Sequence, residues 1–388
     1  MFDMKIQRLM ETAAKEAAKE LPVLTVLGPR QSGKTTFVKT LFPKKPYRSL
    51  EDPDTRALAE NDPHKFFSKI PNGAILDEVQ RVPNLLSYIQ GIVDEKEENG
   101  FFVLTGSSNP LLMKNVSQSL AGRCAIFTLL PFSMKEAAIA GACEDVNSTI
   151  FYGGYPRILA GRTRPETFFN GYIETYVQRD VKLLQNIKDT ALFTKFIKLL
   201  ASRIGSLLDI TSLSDDCGIS TKTVNEWLSI LQTSYIIFLL QPWYENRGKR
   251  LTKTPKLYFY DTGLACALLE IDSPKELDKD RLRGGLFENL IVLEKMKQSY
   301  NAGKRPSLYF YRDTRTEVDL VEHKNGKLFP TEIKSCATFH SDFCRNLDKF
   351  AALYPDMCTS PTLIYCGEDA FDFKGVTFTP FSSLRYRS

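Results

Sequence analysis

Gly28-Pro29-Arg30-Gln31-Ser32-Gly33-Lys34-Thr35 decides the reading of this chain. It is G-x-x-x-x-G-K-[ST] with no position missing, preceded by the apolar run 21–27 and followed by a helical pattern over 36–41. A strand that ends in such a loop and reopens as a helix presents backbone N–H groups and the positive end of a helix dipole to an anion. The glycines let the backbone close around phosphate oxygens. In that geometry Lys34 reaches the β- and γ-phosphates of a nucleoside triphosphate and Thr35 ligates its Mg²⁺. Gly28, Pro29, Arg30, Gln31, Ser32, Gly33, Lys34, Thr35 and Thr36 are the expected nucleotide-binding set.

Downstream, residues 73–78 are an apolar run ending in Asp77-Glu78. Asp77 suits the Mg²⁺ shell, and Glu78 is placed to act as general base on the attacking water. A further run, 101–105, leads into Gly106-Ser107-Ser108-Asn109. Ser107 or Ser108 either senses the γ-phosphate or belongs to an ordinary turn. Arg123, after Ser119-Leu-Ala-Gly, reads two ways: an arginine finger on a neighbouring subunit's nucleotide, or a surface arginine at a helix end. The runs 21–27, 46–50, 73–76, 101–105 and 124–129 are continuous rather than alternating, as in a parallel sheet covered on both faces. Residues 1–150 therefore read as an α/β domain.

The strand at 46–50, between the loop and Asp77, together with the Glu after that Asp, suggests the class with an added strand and a catalytic Glu. Gly-Pro-Arg-Gln-Ser-Gly-Lys-Thr-Thr, Leu-Asp-Glu-Val-Gln, Leu-Thr-Gly-Ser-Ser, Leu-Ala-Gly-Arg, Gly-Gly-Tyr-Pro (153–156) and Tyr-Val-Gln-Arg-Asp-Val (176–181) carry a family likeness. In these the chain resembles the AAA+-type P-loop ATPases of bacteria and archaea with a C-terminal domain of unknown function. The resemblance extends over essentially the whole chain. It implies ATP with Mg²⁺, a functional Arg123, and a role for residues 153–156 and Arg179 at the nucleotide or at a joint between domains.

Composition fits several domains. The chain has 388 residues, 43% hydrophobic and 25% charged, which allows two or three domains with cores of their own and excludes disorder. No apolar run approaches the roughly 18–20 residues of a membrane span, and the charged stretch through Glu20 lacks the apolar centre of a secretory signal. A cytoplasmic protein with no membrane partner is expected. Eight cysteines without a C-x-x-C pair, and only three histidines, argue against a Cys/His zinc centre. The net charge of +5 is mildly basic. Its excess sits mostly in residues 161–270, with 14 Lys and Arg against 11 Asp and Glu.

Residues 151–190 read as a helical linker. Residues 191–270 read as a winged helix-turn-helix: helices at 191–204, 211–217 and 221–232, with Ser220 capping the third, then strands at 235–243 and 256–261 around a basic loop. On a DNA-binding reading, Lys222, Thr223 and Asn225 approach the groove, and Arg247, Lys249 and Arg250 take phosphate. On the other reading the module only packs between its neighbours.

Residues 271–388 read as a second α/β unit: a helix at 286–298, three strands, a helix at 342–353 and a strand at 361–366. Asn325-Gly326 marks a hairpin. Alternation places Glu332 and Lys334 on one face, and the hairpin brings Asp319 beside them. Glu288 on the preceding helix completes an order that resembles the restriction-endonuclease-like fold with its PD-(D/E)xK site. On that resemblance Glu288, Asp319 and Glu332 hold Mg²⁺ or Mn²⁺, and Lys334 helps to activate a water. A solvated ion-pair pattern on a hairpin is the alternative.

The sequence thus points to an α/β P-loop ATPase of AAA+-like type that hydrolyses ATP through Lys34, Thr35, Asp77 and Glu78. The alternative is an ATP-controlled regulator, binding nucleic acid or protein, whose nuclease-like fold is inert. The partners it allows are ATP, DNA or RNA, and further copies of the chain.

Overall fold

A computed structural model describes residues 6–107, 119–142, 145–175, 189–246, 248, 250 and 253–386. The expectations attached to Ser108, Arg179, Arg247 and Lys249 lie outside the described residues.

The first sheet has five strands: β1 (Val23–Gly28), β2 (Tyr47–Ser49), β3 (Ile75–Asp77), β4 (Phe102–Ser107) and β5 (Cys124–Thr128). They lie in the order β2-β3-β4-β1-β5, and every pairing is parallel. All six residues of β1 are buried. Val23 and Leu27 enter one apolar cluster, while Leu24 and Val26 enter the cluster on the opposite face. That two-sided burial is why the strand is continuously apolar. Helix α1 (Glu11–Glu20) precedes β1, and α2 (Lys34–Leu41) follows it and buries Phe37, Val38 and Leu41. Helices α3 (Pro53–Asn61), α4 (Pro63–Ser68) and α5 (Leu85–Lys96) complete the layers. Because β4 lies between β1 and β3, the ends of the loop strand, the Asp77 strand and β4 are neighbours.

After β5 come α6 (Met134–Ile139), α7 (Val146–Tyr152), α8 (Pro156–Leu159) and α9 (Pro165–Tyr172). Next are α10 (Thr190–Ala201), α11 (Ile210–Cys217) and α12 (Thr221–Thr233). Ser220 caps α12 by accepting from the Thr223 N–H, as its position suggested. Strands β6 (Ile237–Leu240) and β7 (Lys256–Phe259) pair antiparallel, and α13 (Thr262–Leu268) follows.

Helix α14 (Arg283–Asn301) opens the last segment. It is followed by β8 (Leu308–Arg312), β9 (Glu317–Lys324), β10 (Lys327–Lys334), α15 (Arg345–Leu353), β11 (Thr362–Tyr365), β12 (Phe371–Phe373) and β13 (Val376–Pro380). Their sheet runs β12-β13-β11-β10-β9-β8. Strands β12 and β13 were not expected from the sequence. Their turn, Lys374-Gly375, has positive φ at both residues (49° and 79°), the backbone of an Asn-Gly turn with a less telling first residue.

A cluster from Tyr311 and Val318 through Leu347 and Phe350 to Phe378, joined by Trp243, lies in the last segment, but another crosses the expected boundary between the middle and C-terminal units. This second apolar cluster runs from Leu130 through Phe196, Trp227, Phe259, Phe287 and Phe310 to Leu384. Helix α14 explains this. Leu286, Phe287, Leu290, Ile291, Val292 and Leu293 are all buried, so the helix is enclosed on several sides rather than along one stripe. Among the described residues no helix is long and apolar enough to cross a membrane.

A buried polar joint ties α14 to the first domain. The Lys297 ammonium donates to the Phe132 carbonyl at 2.8 Å, and the Met134 N–H donates to Glu294 at 2.9 Å. The Gly154 N–H donates to Asp261 at 2.8 Å, and its carbonyl accepts from the Phe132 N–H at 2.8 Å. Burial pushes the Asp261 and Glu294 carboxyls up and the Lys297 ammonium down. A Cβ at Gly154 would stand 2.6 Å from the Phe132 carbonyl oxygen and 3.0 Å from the Lys297 ammonium. Gly154→Ala is therefore expected to lower stability by about 1–3 kcal/mol, the usual cost of overpacking. Denaturant unfolding measures it, and an unchanged midpoint would show that the joint has room to spare.

Candidate functional site

The loop between β1 and α2 is shaped by its neighbours. Gly28 has φ of +150°, and a Cβ there would stand 2.2 Å from the Leu129 carbonyl oxygen just beyond β5, so only glycine fits. Helix α2 starts at Lys34 with no side-chain cap, leaving its first N–H groups to face a cavity of about 1410 Å³. The Ser32 hydroxyl oxygen is buried without a hydrogen-bond partner. Lys34 is 6% exposed, and its ammonium donates to the Gly28 and Pro29 carbonyls at 3.0 and 2.7 Å. Burial pulls its pKa down to about 8, against Glu78 and Asp77, which favour the charged form. A bound anion would add to the partial compensation that Glu78 and Asp77 give this lysine, and the uncapped helix and orphaned hydroxyl fit the same group.

Asp77, at the end of β3, collects three hydroxyls. Thr35 and Tyr47 donate to one carboxylate oxygen at 2.9 and 2.6 Å, and Thr105 donates to the other. Register explains the meeting: Ser49 on β2 lies opposite Asp77, and Ser107 on β4 lies opposite Gly28. Thr35 and Asp77, the pair expected at Mg²⁺, are thus brought into contact with each other. Burial and then Asp77 push the Tyr47 phenol above its ordinary range. Glu78 stands in left-handed backbone, φ 59°, and its carboxylate accepts from the Gln80 side-chain amide. The same amide donates to the Ser107 hydroxyl at 2.9 Å.

Sequence reasoning missed Tyr47, Thr105, Gln80 and Arg8. Arg8 precedes α1 and is 7% exposed. It donates to Glu136 at 2.9 Å, to the Ser32 carbonyl at 3.0 Å and to the Leu130 carbonyl at 2.6 Å. It thus fastens the phosphate loop to the segment after β5. The cavity is also lined by Pro156 and Arg157, so residues 153–156 touch both the joint and the nucleotide pocket.

Arg123 lies elsewhere. Its carbonyl accepts from the Val23 N–H at 3.1 Å, which puts it at the start of β1, whereas the loop follows the end. Six strand residues separate the two by about 16 Å. Its guanidinium forms a two-bond pair with Asp94. Of the two expectations for Arg123, the surface arginine matches this half-exposed pair with Asp94, while a finger role would have to act on a neighbouring subunit's nucleotide.

In the middle segment Lys222 and Asn225 are exposed on α12, while Thr223 is half-buried and its hydroxyl pairs with that of Ser220 at 2.9 Å. Arg250 is half-buried rather than extended into solvent as a phosphate contact would be, and it donates to the Tyr244 carbonyl. Its guanidinium stacks over Trp243 at 3.7 Å, and the Trp243 backbone N–H donates to the Phe310 carbonyl at 2.6 Å. Cation–π attraction thus draws it onto the edge of the second sheet.

The C-terminal residues Glu288, Asp319, Glu332 and Lys334 do come together, with a lysine among them that the sequence reading placed in the basic hairpin. The Lys256 ammonium is 2.9 Å from Glu288, 2.8 Å from Glu317 and 3.9 Å from Asp319. Tyr258 donates to Glu288 at 2.5 Å, and the Ile333 N–H donates to Asp319 at 2.8 Å. Lys334 is 2.6 Å from Glu332 and 3.8 Å from Asp319. Burial, reinforced by Asp319, raises Glu288 to about 7 and Glu332 to about 8. Burial pulls the Lys256 ammonium down, but the surrounding carboxylates outweigh it and the net direction is up. Among the described residues no group of three or more His, Cys, Asp or Glu side chains is arranged to hold a metal ion. The expected ligand set of Glu288, Asp319 and Glu332 instead surrounds ammonium groups.

Residues 20–138 match a family model described as an AAA domain. Residues 143–275 and 283–384 match two domains of unknown function, DUF8612 and DUF4143. An uncharacterized protein of Mycobacterium tuberculosis is 29% identical over 329 residues, 84% of this chain and 73% of the relative. One of Methanocaldococcus jannaschii is 25% identical over 336 residues, 77% of this chain and 71% of the relative. Among solved structures, AMPPCP-bound DnaA from Aquifex aeolicus aligns at TM-score 0.32 and 14% identity, covering 60% of this chain and 89% of that one. A single-substitution variant of Thermotoga maritima RuvB aligns at TM-score 0.28 and 20% identity, covering 62% and 92%. Both structural likenesses are weak. The domain match, the complete loop and the parallel sheet together support an AAA-type P-loop domain that binds ATP.

Arg8 gives this site a test outside the motif. Arg8→Lys keeps a charge for Glu136 but cannot reach three divergent acceptors. It is expected to weaken ATP binding about tenfold, about 1.4 kcal/mol, read with a fluorescent ATP analogue. Unchanged affinity would show that the loop holds its shape without Arg8.

Proposed function

We propose that the chain hydrolyses ATP and uses the cycle to control its C-terminal modules. The observation that carries this is Asp77, held by Thr35, Tyr47 and Thr105 beside a buried, under-compensated Lys34 and next to Glu78. Gly28, Pro29, Arg30, Gln31, Ser32, Gly33 and Thr36 would cradle the phosphates, with Lys34 across the β- and γ-groups. Thr35 and Asp77 would hold Mg²⁺, which when bound neutralises charge on the phosphates. Glu78 takes a proton from water as its oxygen bonds to the γ-phosphorus and the bond to the ADP oxygen breaks. Ser107, at the end of β4, donates toward the γ-phosphate. Arg123 acts on a second copy's nucleotide within a homo-oligomer, leaving Asp94 to do so.

We read the boundaries as 1–150 for the ATPase, 151–190 for a helical linker, 191–270 for a winged helix and 271–388 for a restriction-endonuclease-like domain. Of the two C-terminal readings, the regulator with an inert nuclease-like fold has the specific support: Lys256 sits where a catalytic cation would need the carboxylates. Exposed Lys222 and Asn225 on α12 suit contact with DNA or RNA, the partner this reading favours.

Lys34→Ala is expected to lose nucleotide affinity. Glu78→Gln is expected to bind ATP with turnover down at least about a hundredfold. Turnover by Glu78→Gln at the wild-type rate would remove Glu78 as the base. Incubation with Mg²⁺ or Mn²⁺ and single-stranded, nicked or linear DNA is expected to give salt-sensitive binding without cutting. Cutting abolished by Asp319→Ala and by Lys334→Ala would reverse the choice between the two readings, and no binding at low salt would remove nucleic acid as partner.

A further inference from the structure

We propose that Gln80 is a positioning residue that sets the Glu78 carboxylate from the end of β4, so that the base and Ser107 move as one hydrogen-bonded unit. The inference rests on the ATPase reading above and names a residue which that reading leaves idle. Gln80 lies in the short 3-10 turn Val79–Arg81, which is pinned by the fully buried Val79 and by the Arg81 N–H donating to the Glu78 carbonyl at 3.0 Å. Its side-chain amide donates to the Glu78 carboxylate and, at 2.9 Å, to the Ser107 hydroxyl oxygen.

Hydrogen-bond chemistry fixes the direction of this bridge. An ionised carboxylate only accepts, so the amide nitrogen, not its oxygen, must face Glu78. Both amide hydrogens are then spent. Ser107 accepts from one of them, which leaves its own hydroxyl hydrogen to be donated elsewhere. Ser107 lies in register with Gly28 at the mouth of the phosphate loop, so that hydrogen is available to a terminal phosphate. Capture of it by the phosphate orients the hydroxyl, and through Gln80 the orientation reaches Glu78.

The remaining atom of the amide argues that the residue is there for the site rather than for stability. Among the described residues the Gln80 side-chain carbonyl oxygen is buried with no hydrogen-bond partner. A buried acceptor left unmet costs stability, and a leucine of similar size would fill the space without that cost. The left-handed backbone of Glu78 is a second local cost at the same place. Both are accounted for if the turn exists to aim a carboxylate.

The test uses the full chain and three readouts: steady-state ATP hydrolysis, ATP-analogue affinity and thermal melting. Gln80→Leu is expected to melt at or above the wild-type temperature and to bind the analogue as wild type. Its kcat is expected to fall about 10- to 100-fold with KM unchanged, because a misplaced base costs rate rather than binding. Gln80→Glu sets a second carboxylate beside Glu78. An ionised carboxylate cannot donate to Glu78 or to Ser107, so kcat is expected to fall as it does for Gln80→Leu, with KM unchanged. A Gln80→Leu protein with wild-type kcat, one that hydrolyses faster, or one whose melting temperature and analogue affinity fall together would each overturn the proposal. If wild type binds the analogue but does not hydrolyse ATP, it is the ATPase reading that fails, independently of Gln80.

Discussion

Five buried charges meet where the first domain joins the rest of the chain, and the arrangement works only when all are in place. Arg8 pairs with Glu136, Lys297 donates to the Phe132 carbonyl, Glu294 accepts from Met134, and Asp261 accepts from Gly154. Taking such groups out of water costs several kcal/mol each unless geometry and hydrogen bonds return it. A shifted chain would leave a charge buried and unmet. The joint therefore fixes residues 8, 132–136, 154, 261 and 294–297 relative to one another, and with them the floor of the phosphate loop.

Two stiff elements carry that fixed point onward. Helix α14 runs from Lys297 back to Glu288, nine residues or about 14 Å along a helix. Strand β7 leaves the joint near Asp261 and reaches Lys256 within the same hairpin. Both therefore end in the C-terminal carboxylate cluster, where Lys256 and Glu288 are 2.9 Å apart. The core that encloses α14 on several sides holds this helix in place between the joint and the cluster.

The parts of the site that were legible in the sequence are those encoded within a few residues. The loop 28–35 and the pair Asp77-Glu78 are strings, and a string is visible without a fold. Tyr47, Thr105 and Gln80 reach the same site through strand register, which depends on β4 lying between β1 and β3. Arg8 is 128 residues from Glu136, and among the charges before α1 nothing marks it as buried. The Asn325-Gly326 hairpin was readable because Asn tolerates positive φ, while Lys374-Gly375 makes the same turn with a residue that does not advertise it. Arg123 was legible as an arginine with two readings, but its distance from its own chain's loop follows from strand direction, which the spacing does not carry.

The C-terminal cluster shows how the same four residues can be read correctly and still mislead. Their order along the chain did bring Glu288, Asp319, Glu332 and Lys334 together. What the order could not show is the balance of charge. A divalent cation would need those carboxylates ionised and their oxygens converging. Here burial and the neighbouring Asp319 push the Glu288 and Glu332 carboxyls up, and Lys256 and Lys334 already lie against them at 2.9 and 2.6 Å. The other two carboxylates, Glu317 and Asp319, face two ammonium groups, Lys256 and Lys334. Arg312 adds a third cation at Glu317, 3.4 Å away, and Lys256 comes from the strand that links the cluster to the joint.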